Sequence, residues 1–223
     1  METLKGTEVI SLEGIQAVIF DMDGVMIDNM GYHDQAWEAF LKRYGKPMSY
    51  EERLRRITSR RNHEILGDLF GEDTSDKRRA ELSTEKEAIY RELYEGKVVE
   101  VPGLTEAIKE LRRRGLKLGI ATTALRSNRD FALQELGMTN TFDVIVGNED
   151  VTRGKPDPQI FTLTAERLEA QSAHCLVFED SPLGIQAAKA AGMRAVGLVT
   201  THQRSELKAA EAAVKDFTKI QFV

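Results

Sequence analysis

The chain is organised around Ala17-Val18-Ile19-Phe20-Asp21-Met22-Asp23-Gly24-Val25, a short apolar run that stops at two carboxylates one residue apart. Four consecutive apolar residues predict a strand that helices cover on both faces, as in a parallel sheet. Parallel sheets place their chemistry at the carboxyl ends of strands, which is where Asp21 and Asp23 follow. Both side chains point the same way from an extended backbone, and Gly24 permits a turn without a Cβ clash. Two like charges this close predict a bound cation.

An acidic turn or a calcium loop is the alternative interpretation of Asp-x-Asp-Gly. A helix-loop-helix calcium site has Gly at the sixth position of its loop and Glu at the twelfth. Gly24 is instead the fourth residue counted from Asp21, and an apolar run precedes it. The spacing therefore excludes that calcium loop.

Composition indicates a globular protein without a nucleic-acid or membrane partner. The 223 residues are enough for one large domain or for a domain with an inserted partner, and 41% of them are hydrophobic. The net charge of -5 is mild, and no basic stripe alternates with aromatic residues. No apolar run approaches the roughly 20 residues of a membrane span, and Met1 to Gly14 lacks the layout of a signal peptide. We therefore expect a cytosolic protein.

The second half of the chain alternates strand and helix patterns. Apolar runs predict strands, and Gly or Pro marks the ends of the helices between them. The predicted strands cover residues 116–121, 144–146, 176–178 and 195–199, and the predicted helices cover about 105–114, 127–136, a stretch ending at 168, 182–191 and a charged final helix at about 204–213. Strands joined by right-handed helical crossovers predict a doubly wound parallel α/β sheet.

A helical block interrupts this pattern. Apolar residues recur at helical spacing between Asn29 and Tyr44, and three further helical stretches follow between Tyr50 and about Gly96. A block this long cannot fit inside one crossover, so we predict an all-α cap domain at residues 29–99, inserted into an α/β core of residues 1–28 and 100–223. The predicted hinges lie near residues 26–30 and 95–101.

Polar groups follow the predicted strand ends or lie in adjacent loops. Each of them alone has an ordinary interpretation as a helix cap, a solvated cation or an acidic turn. In an open parallel sheet, however, these positions converge on one crevice. Carboxylate oxygens there suit Mg²⁺, which keeps several waters and commonly partners phosphate. The groups are Asp21 and Asp23, Thr122 and Thr123, Lys155, and Glu179 with Asp180.

Four motifs stand in a characteristic order along nearly the whole chain. They are Asp21-Met22-Asp23-Gly24-Val25, Ile120-Ala121-Thr122-Thr123, Gly154-Lys155-Pro156-Asp157-Pro158 and Phe178-Glu179-Asp180-Ser181-Pro182-Leu183-Gly184-Ile185. Together they resemble the haloacid dehalogenase-like superfamily, specifically its β-phosphoglucomutase-like branch of phosphotransferases with a small helical cap.

The resemblance implies a role for each core residue. Asp21 is expected to attack phosphorus and form an aspartyl-phosphate, and Asp23 to serve as the acid/base. Lys155, the Thr122 hydroxyl and nearby backbone N–H groups are expected to bind the phosphoryl oxygens. Thr123 is expected to bind the substrate beside them. The resemblance further implies that Mg²⁺ is held by Asp21, the Asp23 backbone carbonyl and Asp180, with Glu179 as a ligand or a supporting group.

The cap is expected to select the substrate. By resemblance, His33 faces the site, Arg60 of Thr58-Ser59-Arg60 grips a distal phosphate or sugar, and Lys86 with Tyr90 forms another substrate-facing pair. The alternatives are a packing or surface histidine and a solvated arginine. Departures from the family pattern at Ile57, Asn29 and Ala124 concern the cap chemistry and leave the core motifs intact.

Three functions fit these residues. The first is a Mg²⁺-dependent phosphatase of small phosphorylated metabolites, foremost sugar phosphates, acting as a monomer. The second is a β-phosphoglucomutase, which uses the same core but passes the phosphoryl group to a sugar hydroxyl while it excludes water. The third is a non-catalytic module that binds a phosphorylated ligand, against which the second carboxylate, Asp23, argues.

Overall fold

A computed structural model describes residues 6–57, 60 and 62–223 of the chain. The described residues form two compact units. Val98–Val223 and the described residues as far as Asn29 form an α/β unit, and Met30–Lys97 form a helical unit.

The α/β unit contains a parallel sheet of six strands in the described part of the chain, in the order β4-β3-β2-β5-β6-β7. A separate parallel pair joins β1 and β8, close to the two ends of the chain. The strands are β1 Glu8–Ile10, β2 Ala17–Phe20, β3 Lys117–Ala121, β4 Val144–Val146, β5 Cys175–Glu179, β6 Arg194–Leu198, β7 Ala212–Val214 and β8 Ile220–Phe222.

The described residues include eight α-helices, four in each unit. The helical unit contains α1 Met30–Arg43, α2 Tyr50–Arg56, α3 Asn62–Phe70 and α4 Asp76–Tyr94. The α/β unit contains α5 Leu104–Arg113, α6 Arg126–Glu135, α7 Gln159–Arg167 and α8 Pro182–Ala190. None of these described helices has both the length and the apolar character to cross a membrane.

Strand β2 lies at the centre of the sheet, and its four side chains are fully buried. Ile19 belongs to a cluster with Phe161 of α7 and Ile185 of α8. Phe20, the next residue, points to the opposite face and stacks on Phe178 at 5.3 Å between ring centroids. Each such burial contributes roughly 1.5–3 kcal/mol, which explains why an unbroken apolar run becomes the central strand.

The predicted α/β class is confirmed, and the strands β3 to β6 begin and end within one residue of their predicted bounds. The predicted final helix at 204–213 is wrong. Arg204–Glu206 is a short 3-10 helix, and Ala212–Val214 is β7, which pairs with β6. The alanines and charges there favour a helix locally, but an open sheet edge at β6 offers backbone hydrogen bonds and burial to Ala213 and Val214.

The helical unit has its own core, which α1 and α4 build together. Trp37, Phe40 and Leu41 of α1 are buried, as are Tyr90 and Tyr94 of α4. The helix starts follow ordinary capping rules, since the hydroxyls of Ser49 and Ser75 accept hydrogen bonds from backbone N–H groups in the first turns of α2 and α4. That this unit acts as a cap stays a prediction.

Candidate active site

The predicted core residues meet at the carboxyl edge of the sheet. Asp21 follows β2, Thr122 follows β3, and Glu179 is the last residue of β5. Strand β2 lies between β3 and β5. The chain runs outward from β2 on one side through β3 and β4, and on the other through β5, β6 and β7. Ligands of open α/β sheets bind at such a switch point.

Three carboxylates share one small volume at this edge. Oxygen atoms of Asp21, Glu179 and Asp180 all lie within 4.8 Å of one another, and all three residues are buried. Buried like charges this close repel strongly unless a cation or a proton offsets them. The cluster therefore favours cation binding.

Lys155 supplies one positive charge to this cluster. Its ammonium lies 3.0 Å from Asp21 Oδ1 and forms a second, short ion pair with Glu179 Oε1. Burial acts to lower the pKa of Lys155, but the charges of Asp21 and Glu179 outweigh it and raise the pKa above its usual value. One ammonium does not balance three carboxylates.

The excess of negative charge is reflected in raised pKa values of two of the carboxyl groups. Burial raises the pKa of Asp21 to about 7, with Glu179 and Asp23 adding to the rise and Lys155 opposing it. Burial and the neighbouring charges of Glu179 and Asp21 also raise the pKa of Asp180 well above its ordinary value. The cluster without a cation thus holds onto protons, and hard oxygen donors of this kind fit a small divalent cation.

Glu179 is held at both ends of its carboxylate. Oε1 pairs with Lys155, and Oε2 accepts hydrogen bonds from the backbone N–H (2.7 Å) and the hydroxyl (2.9 Å) of Ser181. Gly184 in the first turn of α8 leaves room for this carboxylate, because a Cβ at that position would overlap it. Glu179 is therefore best suited to orienting Lys155.

Gly24 leaves room for the third carboxylate. Its φ of 75° lies in the left-handed region, and a Cβ there would overlap Asp180 Oδ2. The turn after β2 is closed by a hydrogen bond of 2.7 Å from the Gly24 N–H to the Ile27 carbonyl. A glycine is needed here both for the backbone conformation and for the approach of Asp180.

Asp23 is held by a residue whose role is not evident from the sequence. Its Oδ1 accepts a hydrogen bond of 2.7 Å from Asn29 Nδ2, and Asn29 is fully buried. The sequence showed Asn29 only as a departure from the family pattern, because a local pattern does not give the direction of its side chain. The Asn29 amide therefore orients the Asp23 side chain.

The two threonines after β3 differ in exposure. Thr122 is buried, its N–H donates to the Val146 carbonyl, and its hydroxyl accepts a hydrogen bond of 3.0 Å from the Ala124 N–H. Thr123 is exposed. The structure thus builds Thr122 into the sheet edge and leaves Thr123 at the surface of the α/β unit.

His33 and Lys86, two of the predicted cap residues, contact each other within the helical unit. Lys86 Nζ lies 2.8 Å from His33 Nδ1 and 2.9 Å from Glu87 Oε1, and its side chain is almost fully buried. The His33 ring stacks on Tyr90 with centroids 4.0 Å apart. Burial acts to raise the pKa of Glu87, but the charges of Lys86 and His33 and the hydrogen bonds from Lys86 and Asn62 lower it to about 2.

Arg60 has partners of its own in the helical unit. Its guanidinium Nη1 donates to Asp68 Oδ2 at 2.7 Å and to the Arg56 carbonyl at 3.0 Å. Thr58 and Ser59, which belong to the same predicted loop, lie outside the described residues. The structure therefore brings His33 and Lys86 together, while Arg60 is engaged by an acidic neighbour.

The fold and the carboxylate cluster define a class of α/β enzyme with its site at the switch point of a parallel sheet. The haloacid dehalogenase-like hydrolase family matches residues 18–198 of the chain. The chain belongs to this family. The resemblance stated from the four motifs is therefore confirmed, and with it the expectation of an enzyme.

Known proteins of similar sequence include both phosphatases and a mutase. A validoxylamine A 7'-phosphate phosphatase of Streptomyces hygroscopicus is 33% identical over 93% of this chain and 96% of its own length. A β-phosphoglucomutase of Bacillus subtilis is also 33% identical, over 82% of this chain and 83% of its own. Among solved structures, a haloacid dehalogenase hydrolase of family IA from Entamoeba histolytica has a TM-score of 0.86 at 27% identity, with 93% of this chain and 96% of that chain covered.

Proposed function

We propose that the protein is a Mg²⁺-dependent phosphatase of small phosphorylated metabolites, foremost sugar phosphates, which works through an aspartyl-phosphate on Asp21. The observation that carries the proposal is the buried cluster of Asp21, Glu179 and Asp180 around Lys155, with Asp23 on the adjoining turn. Relatives that include a phosphatase of a phosphorylated metabolite support the substrate class.

The first half of the reaction uses Asp21 and Asp23. An Asp21 carboxylate oxygen forms a bond to phosphorus, the bond from phosphorus to the substrate oxygen breaks, and Asp23 gives its proton to that leaving oxygen. Lys155 and Thr122 stabilise the negative charge on the transferring phosphoryl oxygens. The amide of Asn29 keeps the Asp23 carboxyl oriented.

The second half returns the enzyme to its starting state. A water molecule gives a proton to the Asp23 carboxylate, and the oxygen of that water forms a bond to phosphorus. At the same time the bond from phosphorus to Asp21 breaks, and inorganic phosphate leaves. Asp21, Asp180 and the backbone carbonyl of Asp23 are suited to hold Mg²⁺, with Glu179 in support through Lys155. When bound, Mg²⁺ supplies positive charge between the nucleophile and the phosphate.

The test is phosphate release from a panel of sugar phosphates, with Mg²⁺ and with excess chelator. We expect release that depends on Mg²⁺ and is fastest on one or a few sugars. Asp21→Asn should abolish turnover while the protein remains folded by circular dichroism. Substantial activity of Asp21→Asn would overturn the mechanism, and release that chelator does not affect would overturn the metal requirement.

A second candidate is a β-phosphoglucomutase, favoured by the similarity to the Bacillus subtilis enzyme and by the polar pair of His33 and Lys86. We propose that these two residues, and Arg60 with them, contact the substrate. A coupled assay that follows conversion of β-glucose 1-phosphate to glucose 6-phosphate separates the candidates. Isomerisation without comparable phosphate release would favour the mutase.

The cytosolic location and the monomeric state stay predictions from the sequence.

A further inference from the structure

The loop after β6 approaches the active site from a strand that carries none of the predicted site residues. Its first hydroxyl, on Thr200, donates a short hydrogen bond to the carbonyl of Gly24. Gly24 belongs to the turn that carries Asp23. This hydrogen bond therefore joins Thr200 and Gly24, which are 176 positions apart in the sequence. It fixes the loop against that turn.

The next residue, Thr201, places a hydroxyl beside Asp180. A Cβ built on Gly24 would lie 2.8 Å from Thr201 Oγ1 and would overlap Asp180 Oδ2, so the two oxygens flank the same point above Gly24. Thr201 Oγ1 is buried, and among the described residues it has no well-aligned hydrogen-bond partner. A buried hydroxyl without such a partner is costly and needs an explanation.

The carboxyl group of Asp180 provides that explanation, because its Oδ2 and the Thr201 hydroxyl lie beside the same point above Gly24. A hydroxyl hydrogen rotates freely, so it can turn toward a carboxylate oxygen that lies beside it. Outer hydrogen-bond partners of this kind orient metal-ligating carboxylates.

We propose that Thr201 is a positioning residue that donates a hydrogen bond to the Asp180 carboxylate and holds it in the orientation in which it binds a divalent cation. Thr200 anchors the loop that carries this hydroxyl. The inference rests on the proposed function, because it concerns the cation that the carboxylates are suited to hold.

The test compares Thr201→Val, which keeps the shape and removes the hydroxyl, with Thr201→Ser, which keeps the hydroxyl. Mg²⁺ alone is titrated into the full-length protein by isothermal titration calorimetry. Loss of an outer partner of a metal ligand typically weakens metal affinity roughly 10- to 100-fold, so we expect that range for Thr201→Val and near-normal binding for Thr201→Ser. The matched control is Thr162→Val, on the exposed face of α7, which should bind as the wild type does.

A kinetic measurement separates positioning from general damage to the fold. For Thr201→Val, we expect a raised Mg²⁺ concentration for half-maximal activity and recovery of kcat at saturating Mg²⁺. Melting temperatures in chelator show whether the variant is folded, and Thr201→Ala provides the same test if the valine variant is not.

The outcomes distinguish this inference from the function on which it rests. Mg²⁺ binding by folded Thr201→Val that equals that of the wild type would overturn the role of Thr201 alone. A wild-type protein that binds no Mg²⁺ would overturn the proposed function as well.

Discussion

Glu87 should stabilise the helical unit in a way that depends on pH. Its carboxylate accepts hydrogen bonds from Lys86 (2.9 Å) and from Asn62 (2.7 Å), and its exposed fraction is only 4%. Its pKa is lowered from 4.5 to about 2, because the charges of Lys86 and His33 and these hydrogen bonds outweigh the effect of burial. The folded unit therefore stabilises the ionised form of the Glu87 side chain more than the unfolded chain does.

The size of the effect follows from this pKa difference. Each pKa unit corresponds to about 1.4 kcal/mol, so the charge of Glu87 contributes about 3 kcal/mol to the free energy of unfolding at pH 7 and about half of that near pH 3. The sign is that of a lowered carboxyl pKa: the stabilisation is fully present above pH 4.5 and is lost as the pH falls toward 2. Glu87→Gln should therefore be destabilising at neutral pH and much less so in acid.

The assay can observe the helical unit separately. Trp37 is the single tryptophan of the chain, and its ring lies 5.2 Å from the Lys86 ammonium. Urea unfolding followed by tryptophan fluorescence at pH 7 and pH 3 thus reports on the neighbourhood of Glu87. Glu92→Gln is the matched control, since Glu92 is an exposed residue of the same helix, and it should change stability by less than about 0.5 kcal/mol.

Two results would refute this reasoning. One is a Glu87→Gln destabilisation that stays the same between pH 7 and pH 3, because the effect would then arise from packing and not from the charge. The other is a destabilisation no larger than that of Glu92→Gln at pH 7.

Three further predictions concern the α/β unit. Asp23→Asn should lower kcat by about 10²- to 10⁴-fold while a calorimetric titration shows little change in substrate affinity; a kcat within tenfold of the wild type would contradict the acid/base role. Asn29→Ala removes a hydrogen bond to a charged group worth roughly 1.5–3 kcal/mol, so kcat should fall by about one to two powers of ten, whereas an unchanged kcat would show that Asp23 needs no support. Gly184→Ala should lower the melting temperature, because its Cβ would overlap the Glu179 carboxylate and overpacking costs roughly 1–3 kcal/mol; an unchanged melting temperature would mean that the carboxylate moves without cost.

A local sequence pattern predicts an element well when the residues within that element and beside it in the sequence determine its structure. The run at Ala17–Phe20 is buried on both faces, so its composition alone identifies a central strand. Lys155 and Asp180 were recognised because the residues beside them form motifs. Residues 204–213 show the limit, because their helical composition was outweighed by the hydrogen bonds available at the edge of β6.

The sequence alone was sufficient for the α/β class, for the helical insertion as a prediction and for the acidic residues that follow the central strands. It could not reveal the partners of those residues. The Asn29 amide on Asp23, the Glu87 carboxylate on Lys86 and the Thr201 hydroxyl beside Asp180 each depend on side-chain directions that no local pattern contains. The physical reason is that periodicity reports which residues are buried, whereas hydrogen bonds and ion pairs require distances that are set only when the strands and helices have packed.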